Sequence, residues 1–297
     1  MKRTDAFSTY HPIIGFLYFA FVILETAFFL HPVLLVISFA SAMAYSIYLN
    51  GRRAVRFNLL MVLPLMLLAA VINPAFNHEG VTILGYIRDN PITLESILYG
   101  VAAAAMIGAV IIWFSCYNAV MTSDKFIYLF GRIIPSLSLI LSMALRFIPA
   151  YKAQIVRIAD AQRGIGRDIS SGKLSARARS GLSILSVMVT WALESAIETA
   201  DSMKARGYGL RGRTAYALYR FDGRDRLLLA FMVCGFALLL FAGGVRILSV
   251  QYFPAFSVND TGFGVCLFYV VHAVICNIPL AADIREDFIW RSLRSKA

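Results

Sequence analysis

Charge is what this sequence has least of. Only 15% of its 297 residues are Asp, Glu, Lys or Arg, against about a quarter in soluble domains. Hydrophobic residues make up 59%, more apolar side chain than a single soluble core of this size hides. The bilayer is the solvent that suits such a chain. Cysteine is nearly as scarce. Cys116, Cys234, Cys266 and Cys276 form no CxxC and all fall inside apolar runs. They read as small buried hydrophobes and exclude a disulfide framework or a zinc site. The four histidines (His11, His31, His78 and His272) are too scattered for metal-ligand spacing. His11 and His31 each precede a proline beside an apolar run, which marks loop-to-helix punctuation. No HExxH, GxSxG or Walker A sequence GxxxxGK[ST] occurs, so three routes to enzymatic or ATPase chemistry are closed.

What is present is a series of long apolar runs. A membrane-crossing helix takes about 20 apolar residues. Six stretches qualify, roughly 12–30, 33–50, 57–76, 96–121, 227–246 and 262–282. No Asp, Glu, Lys or Arg occurs from Ser96 to Ser123 or from Leu227 to Val245. Lys2 and Arg3 before an apolar stretch resemble a signal peptide, but no small-residue cleavage site follows, so a retained first span is expected. The basic groups Lys2/Arg3, Arg52/Arg53/Arg56 and Arg285/Arg291/Arg294/Lys296 fall on one side of an even set of spans. By the positive-inside rule both termini are expected in the cytoplasm.

Between the fourth and fifth spans lies a different kind of chain. The net charge of the protein is +11. Residues 146–226 hold 15 Lys/Arg against 7 Asp/Glu, and so carry most of it. This segment belongs in the cytoplasm. Its first part, Phe126 to Pro149, is apolar but broken by Arg132, Pro135 and Arg146, and reads either as an interrupted membrane helix or as one lying in the interface. Further on, Ile155, Ile158, Ala161 and Ile165 recur at helical spacing. Leu182 to Ala205 contains neither Gly nor Pro. Its apolar residues Ile184, Leu185, Val187, Met188, Trp191 and Leu193 are too extensive for a free surface. Ser170-Ser171-Gly172-Lys173 reads as the turn between two long helices. The fold class is therefore all-α: a polytopic membrane helical bundle with two long cytoplasmic helices. Its organisation is residues 1–125, 126–226 and 227–297.

Both long helices end alike. The second ends Asp201-Ser202-Met203-Lys204-Ala205-Arg206-Gly207-Tyr208, the first Ala161-Gln162-Arg163-Gly164-Ile165-Gly166-Arg167-Asp168. A small residue lets another backbone approach, and an arginine fork pairs bidentately with a carboxylate. Such an end suits insertion into a groove on another protein. The same residues also make an ordinary helix C-cap, with glycine closing the helix and a cation favoured by its dipole. Glu194, Glu198 and Asp201 form an acidic stripe on the second helix, either a pairing surface or a solvated face. Glu25 is the one acidic residue within an expected span. It marks a partner or pathway, or lies at the interface.

These paired ends, with Arg146-Phe147-Ile148-Pro149 ahead of the first helix, resemble the T component (EcfT/CbiQ family) of energy-coupling factor transporters. Those are ABC-type importers of vitamins and transition metals. The resemblance implies two Ala-Arg-Gly motifs on coupling helices, each docking into one of two ABC-type ATPase subunits. It also implies a separate substrate-binding S component. Ala205-Arg206-Gly207 fits the second motif directly. Aligning the first on Ala161-Gln162 and Asp168 puts Gly164-Ile165-Gly166 in its place, so either Arg163 or Arg167 must supply the charge. Partners expected on this basis are two ATPases, an S component and the lipid bilayer of the plasma membrane. No catalytic residue, cofactor or metal is expected on this chain, ATP being bound by the ATPases. Competing readings are a conventional ABC permease forming the path itself and a membrane enzyme. A nucleic-acid binder is disfavoured, because the basic residues are interleaved with long apolar faces and lack a base-reading motif.

Overall fold

The computed structural model describes residues 6–87, 90–131, 134–166, 174–210, 219–245, 250–258 and 263–294. The chain is helical almost throughout, as the apolar runs require, and it divides into two compact units. One comprises residues 1–126 with 219–297, the other residues 127–218.

The larger unit contains α1 (Pro12–Phe28), α2 (Pro32–Asn50), α3 (Arg52–Phe57), α4 (Leu63–Phe76), α5 (Leu94–Val120), α9 (Gly223–Gly244) and α10 (Phe263–Arg294). A π-helical stretch, Asn58–Val62, joins α3 to α4. Proline at the first position starts both α1 and α2, where its missing N–H costs nothing. The preceding histidines stand at the N-cap positions: His11 Nδ1 accepts the Ile13 N–H at 3.3 Å, while the His31 side chain makes no cap bond and instead contacts the Tyr269 hydroxyl at 3.2 Å. Both are the punctuation expected of them. The core gathers around α1, where Tyr18, Phe19 and Val22 meet Tyr45 of α2, Trp113 of α5, Phe236 of α9 and Ile275 of α10. Gly100 of α5 allows α4 to approach closely, since a Cβ there would sit 2.8 Å from the Ala70 carbonyl oxygen.

The connections sort to two ends of this unit. At one end, the N-terminal turn, the end of α2 and the last turns of α10 meet. The Phe7 N–H donates to Asp283 at 2.9 Å, and the Tyr48 hydroxyl donates to Asp287 at 2.8 Å. Buried Lys125 joins them, donating to the Ser8 and Val120 carbonyls at 2.7 and 3.0 Å. At the other end lie two small hairpins that hydropathy does not reveal. They are β1 (Ile83–Ile87) with β2 (Asn90–Thr93), and β3 (Val250–Gln251) with β4 (Ser257–Val258), each antiparallel. The Val81 N–H donates to the Pro254 carbonyl at 3.2 Å, and the Tyr252 hydroxyl donates to the Leu30 carbonyl at 2.6 Å.

Two expectations are corrected here. Cys234 and Cys266 are exposed on the outer faces of α9 and α10, and only Cys116 and Cys276 are buried. An apolar environment outside the bundle accepts a thiol as readily as the core does. The six stretches also undercount the apolar helices. Among the described residues seven are long and apolar enough to cross a membrane, including Ser138–Gly164 and Arg177–Ala205. The 17-residue α1 falls just under that length.

The smaller unit is built on α6 (Ser123–Gly131, which starts at its boundary), α7 (Pro135–Gly164) and α8 (Leu174–Ala205). The apolar segment Phe126 to Pro149 is interrupted as expected near Arg132 and Pro135, since α6 ends at Gly131 and α7 begins at Pro135, but α7 then runs unbroken to Gly164 with Arg146 and Pro149 inside it. Helices α7 and α8 pack antiparallel. Ile158 of α7 is buried with Ile184 and Met188 of α8. Tyr151 and Trp191 meet edge to face at 5.6 Å. Ile155 and Ile165, expected on the same packed face, are exposed, as are Leu185, Val187 and Leu193. The contact line follows residues 151 and 158, seven apart, and is narrower than the sequence pattern implies. The turn at Ser170–Lys173 lies outside the described residues.

Candidate functional site

The candidate residues occupy the two helix ends of the smaller unit. At the end of α8 the chain closes in a Schellman motif. Gly207 takes φ +77°, its N–H donates to the Lys204 carbonyl at 3.0 Å, and the Tyr208 N–H donates to the Met203 carbonyl at 3.0 Å. Positive φ is the reason glycine stands there. Arg206 is then the capping residue itself, with Ala205 the last helical one. Both are exposed.

The end of α7 repeats this geometry. Gly166 takes φ +80°, and its N–H donates to the Arg163 carbonyl at 2.9 Å. In this frame Gly166 corresponds to Gly207, Ile165 to Arg206, Gly164 to Ala205, and Arg163 to Lys204. One detail differs. The Ile165 N–H donates to Gln162, three residues back, at 3.3 Å, whereas the Arg206 N–H donates to Ser202, four back, at 3.1 Å. The first tip therefore ends in a tighter turn. Arg163 lies 3.7 Å from Asp160, both largely exposed, so screening leaves that pair little energetic weight. Gln162 is half-buried, and its Oε1 has no hydrogen-bond partner. Arg167 lies outside the described residues.

The two ends are far apart. A cavity of about 840 Å³ lies between the start of α7 and the end of α8, lined by Leu139, Arg146 and Phe147 on one side and Glu198, Arg206 and Tyr208 on the other. Arg206 therefore sits beside the N-terminal third of α7, and Gly164 ends that helix. The stretch Leu139–Phe147 lies 17 to 25 residues before Gly164, so at 1.5 Å per residue the two ends are about 25–40 Å apart. One antiparallel helix pair thus presents one capped tip at each end. Of the acidic stripe, only Glu198 reaches the cavity, and Glu194, Glu198 and Asp201 are all exposed.

A model of the CbiQ family, described as cobalt transport protein, matches residues 10–216. The chain belongs to that family. It is also similar to several curated proteins named energy-coupling factor transporter transmembrane protein EcfT. That of Lactobacillus helveticus (strain DPC 4571) is 35% identical over 108 residues, 36% of this chain and 39% of that protein. That of Staphylococcus aureus (strain 04-02981) is 37% identical over 106 residues, 35% of this chain and 39% of that protein. That of Listeria innocua serovar 6a is 38% identical over 94 residues, 31% of this chain and 36% of that protein. Each match spans about two fifths of the relative's length. Family membership and the apolar helices together make the chain a multi-pass membrane protein.

One arrangement in this CbiQ-family chain escaped sequence reasoning. Glu25 is neither interfacial nor alone: it is 7% exposed, and its Oε1 lies 2.8 Å from His272 Nδ1. The other ring nitrogen, Nε2, lies 3.2 Å from the Leu34 carbonyl oxygen. One proton between Oε1 and Nδ1 and a second on Nε2 satisfy both contacts. The pair ties α1, α2 and α10 together inside the bundle. The signal available was one Glu and one His, each isolated in an apolar run, but nothing in the 246 intervening positions links them.

Proposed function

We propose that this chain is the transmembrane coupling subunit of an energy-coupling factor importer for a vitamin or a transition metal. It lies in the plasma membrane with both termini in the cytoplasm and catalyses no reaction of its own. Two ABC-type ATPases hydrolyse ATP and move. Each holds one tip of the α7–α8 pair, through Ala205-Arg206-Gly207 at one end and the Gln162–Arg167 segment at the other. The pair passes that movement to a separate substrate-binding membrane protein, the S component, which then releases its substrate inside.

The observation carrying this reading is the pair of glycine-closed helix ends about 25–40 Å apart on one helix pair, since a single chain with two such tips suits two ATPase bodies at once. Membership of the CbiQ family supports it independently. The test is affinity capture of the solubilised chain from its native membranes, with partners identified by mass spectrometry. Two proteins with Walker A sequences and a small hydrophobic membrane protein are expected. A stable homodimer with one ATPase species would instead favour a conventional permease, and no ATPase at all would sink the proposal.

A further inference from the structure

We infer that the first tip is read through Ile165 and not through an arginine, so that the two tips enter chemically different grooves. This rests on the coupling-subunit reading above and adds which residue each groove recognises. The matching glycine closures fix the register: Gly166 and Gly207 share a positive φ of +80° and +77°, and each N–H donates to the carbonyl three residues back. Ile165 therefore leaves its helix end where Arg206 leaves the other. Arg163 precedes Ile165 by two residues. At 3.6 residues per turn its side chain emerges about 200° around the helix, on roughly the opposite side, where it lies 3.7 Å from Asp160. Arg167 follows the glycine and corresponds in register to Tyr208.

A single exposed aliphatic residue is ordinary on a protein surface. Ile165, 66% exposed, is informative because it stands in the slot that the other tip fills with a cation. A groove that pairs a carboxylate with the Arg206 guanidinium would leave that carboxylate buried and unpaired against Ile165. The groove receiving the first tip must be apolar at that point. The open space around Gly164 and Gly166 lets its wall reach the backbone on either side. The two tips are then not interchangeable, and each selects its own ATPase.

The experiment uses the full chain co-expressed with the two ATPases identified by the capture above, and measures the molar ratio of each ATPase recovered. Ile165→Asn keeps a residue that helix ends tolerate while removing the apolar contact. It should lower recovery of one ATPase at least tenfold and leave the other unchanged. Ile165→Leu should retain both. Retention of both with Ile165→Asn would overturn the inference, as would loss of one ATPase with Arg167→Ala but not with Ile165→Asn. If the unaltered chain recovers no ATPase, the coupling-subunit reading has failed before the question of Ile165 arises.

Discussion

Replacing His272 by leucine should be among the most damaging single changes in this protein, and the reason is Glu25. The carboxyl group is buried, Oε1 lies 2.8 Å from His272 Nδ1 as an ion-pair contact, and neither oxygen makes an aligned hydrogen bond. His272→Leu therefore strands an acidic group inside the bundle, where removal of one member of a buried pair costs about 3–5 kcal/mol. Glu25→Gln is different. Its amide can donate to Nδ1 while Nε2–H still donates to Leu34, so every contact survives in neutral form and the cost should stay under about 1 kcal/mol. The double change Glu25→Leu/His272→Leu removes both polar partners at once and should recover most of the loss of His272→Leu alone. At about 2–4 °C per kcal/mol for a chain of this size, His272→Leu should lower the melting midpoint by on the order of 10 °C. The assay is the fraction of detergent-solubilised protein that stays monodisperse on gel filtration after stepped heating. Because such unfolding is irreversible, the rank order is the result to compare. Equal damage from Glu25→Gln and His272→Leu, or a double variant worse than either single one, would refute the reasoning.

Other consequences can be checked separately. Gly100→Ala places a Cβ 2.8 Å from the backbone oxygen of Ala70, which no side-chain rotation relieves. It should cost about 1–3 kcal/mol in the same heating assay. Gly207→Ala forces a left-handed conformation worth about 1–2 kcal/mol, and should speed amide exchange at Gly207 and Tyr208 about tenfold while leaving α10 unchanged. On the proposed function, Arg206→Glu reverses charge at a docking tip and should abolish ATP-dependent uptake, with membrane insertion intact on carbonate extraction. Tyr252 lies between α9 and α10, and burial, with Tyr99 beside it, pushes its phenol up to about 12. The fold thus favours the protonated form, so this contribution to stability is complete below pH 10 and is lost as pH rises from 10 towards 12. A spectrophotometric titration should show late-titrating tyrosine absorbance that falls by one residue's worth in Tyr252→Phe.

Most of the helices were legible because their signals are local. Uninterrupted apolarity marks α5 and α9, and the His-Pro pairs mark the starts of α1 and α2. The similarity of the two tips was legible for the same reason, since a glycine closing a helix acts over only four or five residues. What was hidden depends on distance or on weak patterning. The β1–β2 hairpin carries Gly85 and Pro91 within its nine or so residues, which blunts the alternation that identifies a strand. The Glu25–His272 contact joins chain segments that only the fold brings together. Of the interruptions read within Phe126 to Pro149, the one near Arg132 and Pro135 is the boundary between α6 and α7, where Pro135 begins the new helix, whereas Arg146 interrupts nothing and lines the cavity beside Arg206.

The packing of the smaller unit bears on how its two tips could act together. Its buried apolar cluster is confined to Ile158, Ile184 and Met188, with Tyr151 and Trp191 against it. Ile158 stands six residues, about 9 Å, before the end of α7, and Met188 stands 17 residues, about 26 Å, before the end of α8, so the cluster lies closer to the first tip. The larger unit differs, with a core drawn from five helices and cross-linked by buried contacts such as Glu25–His272 and Trp113 to Ser38 at 3.0 Å. On the proposed function, each tip needs a cap stiff enough not to unwind when its partner moves. A Schellman-type closure, which ties the last carbonyls back through a glycine, supplies that stiffness and leaves the capping residue's side chain outside the helix's own hydrogen-bonding scheme. The cap can then stay constant while its exposed residue changes from Arg206 to Ile165, which is how one construction at two ends can address two different partners.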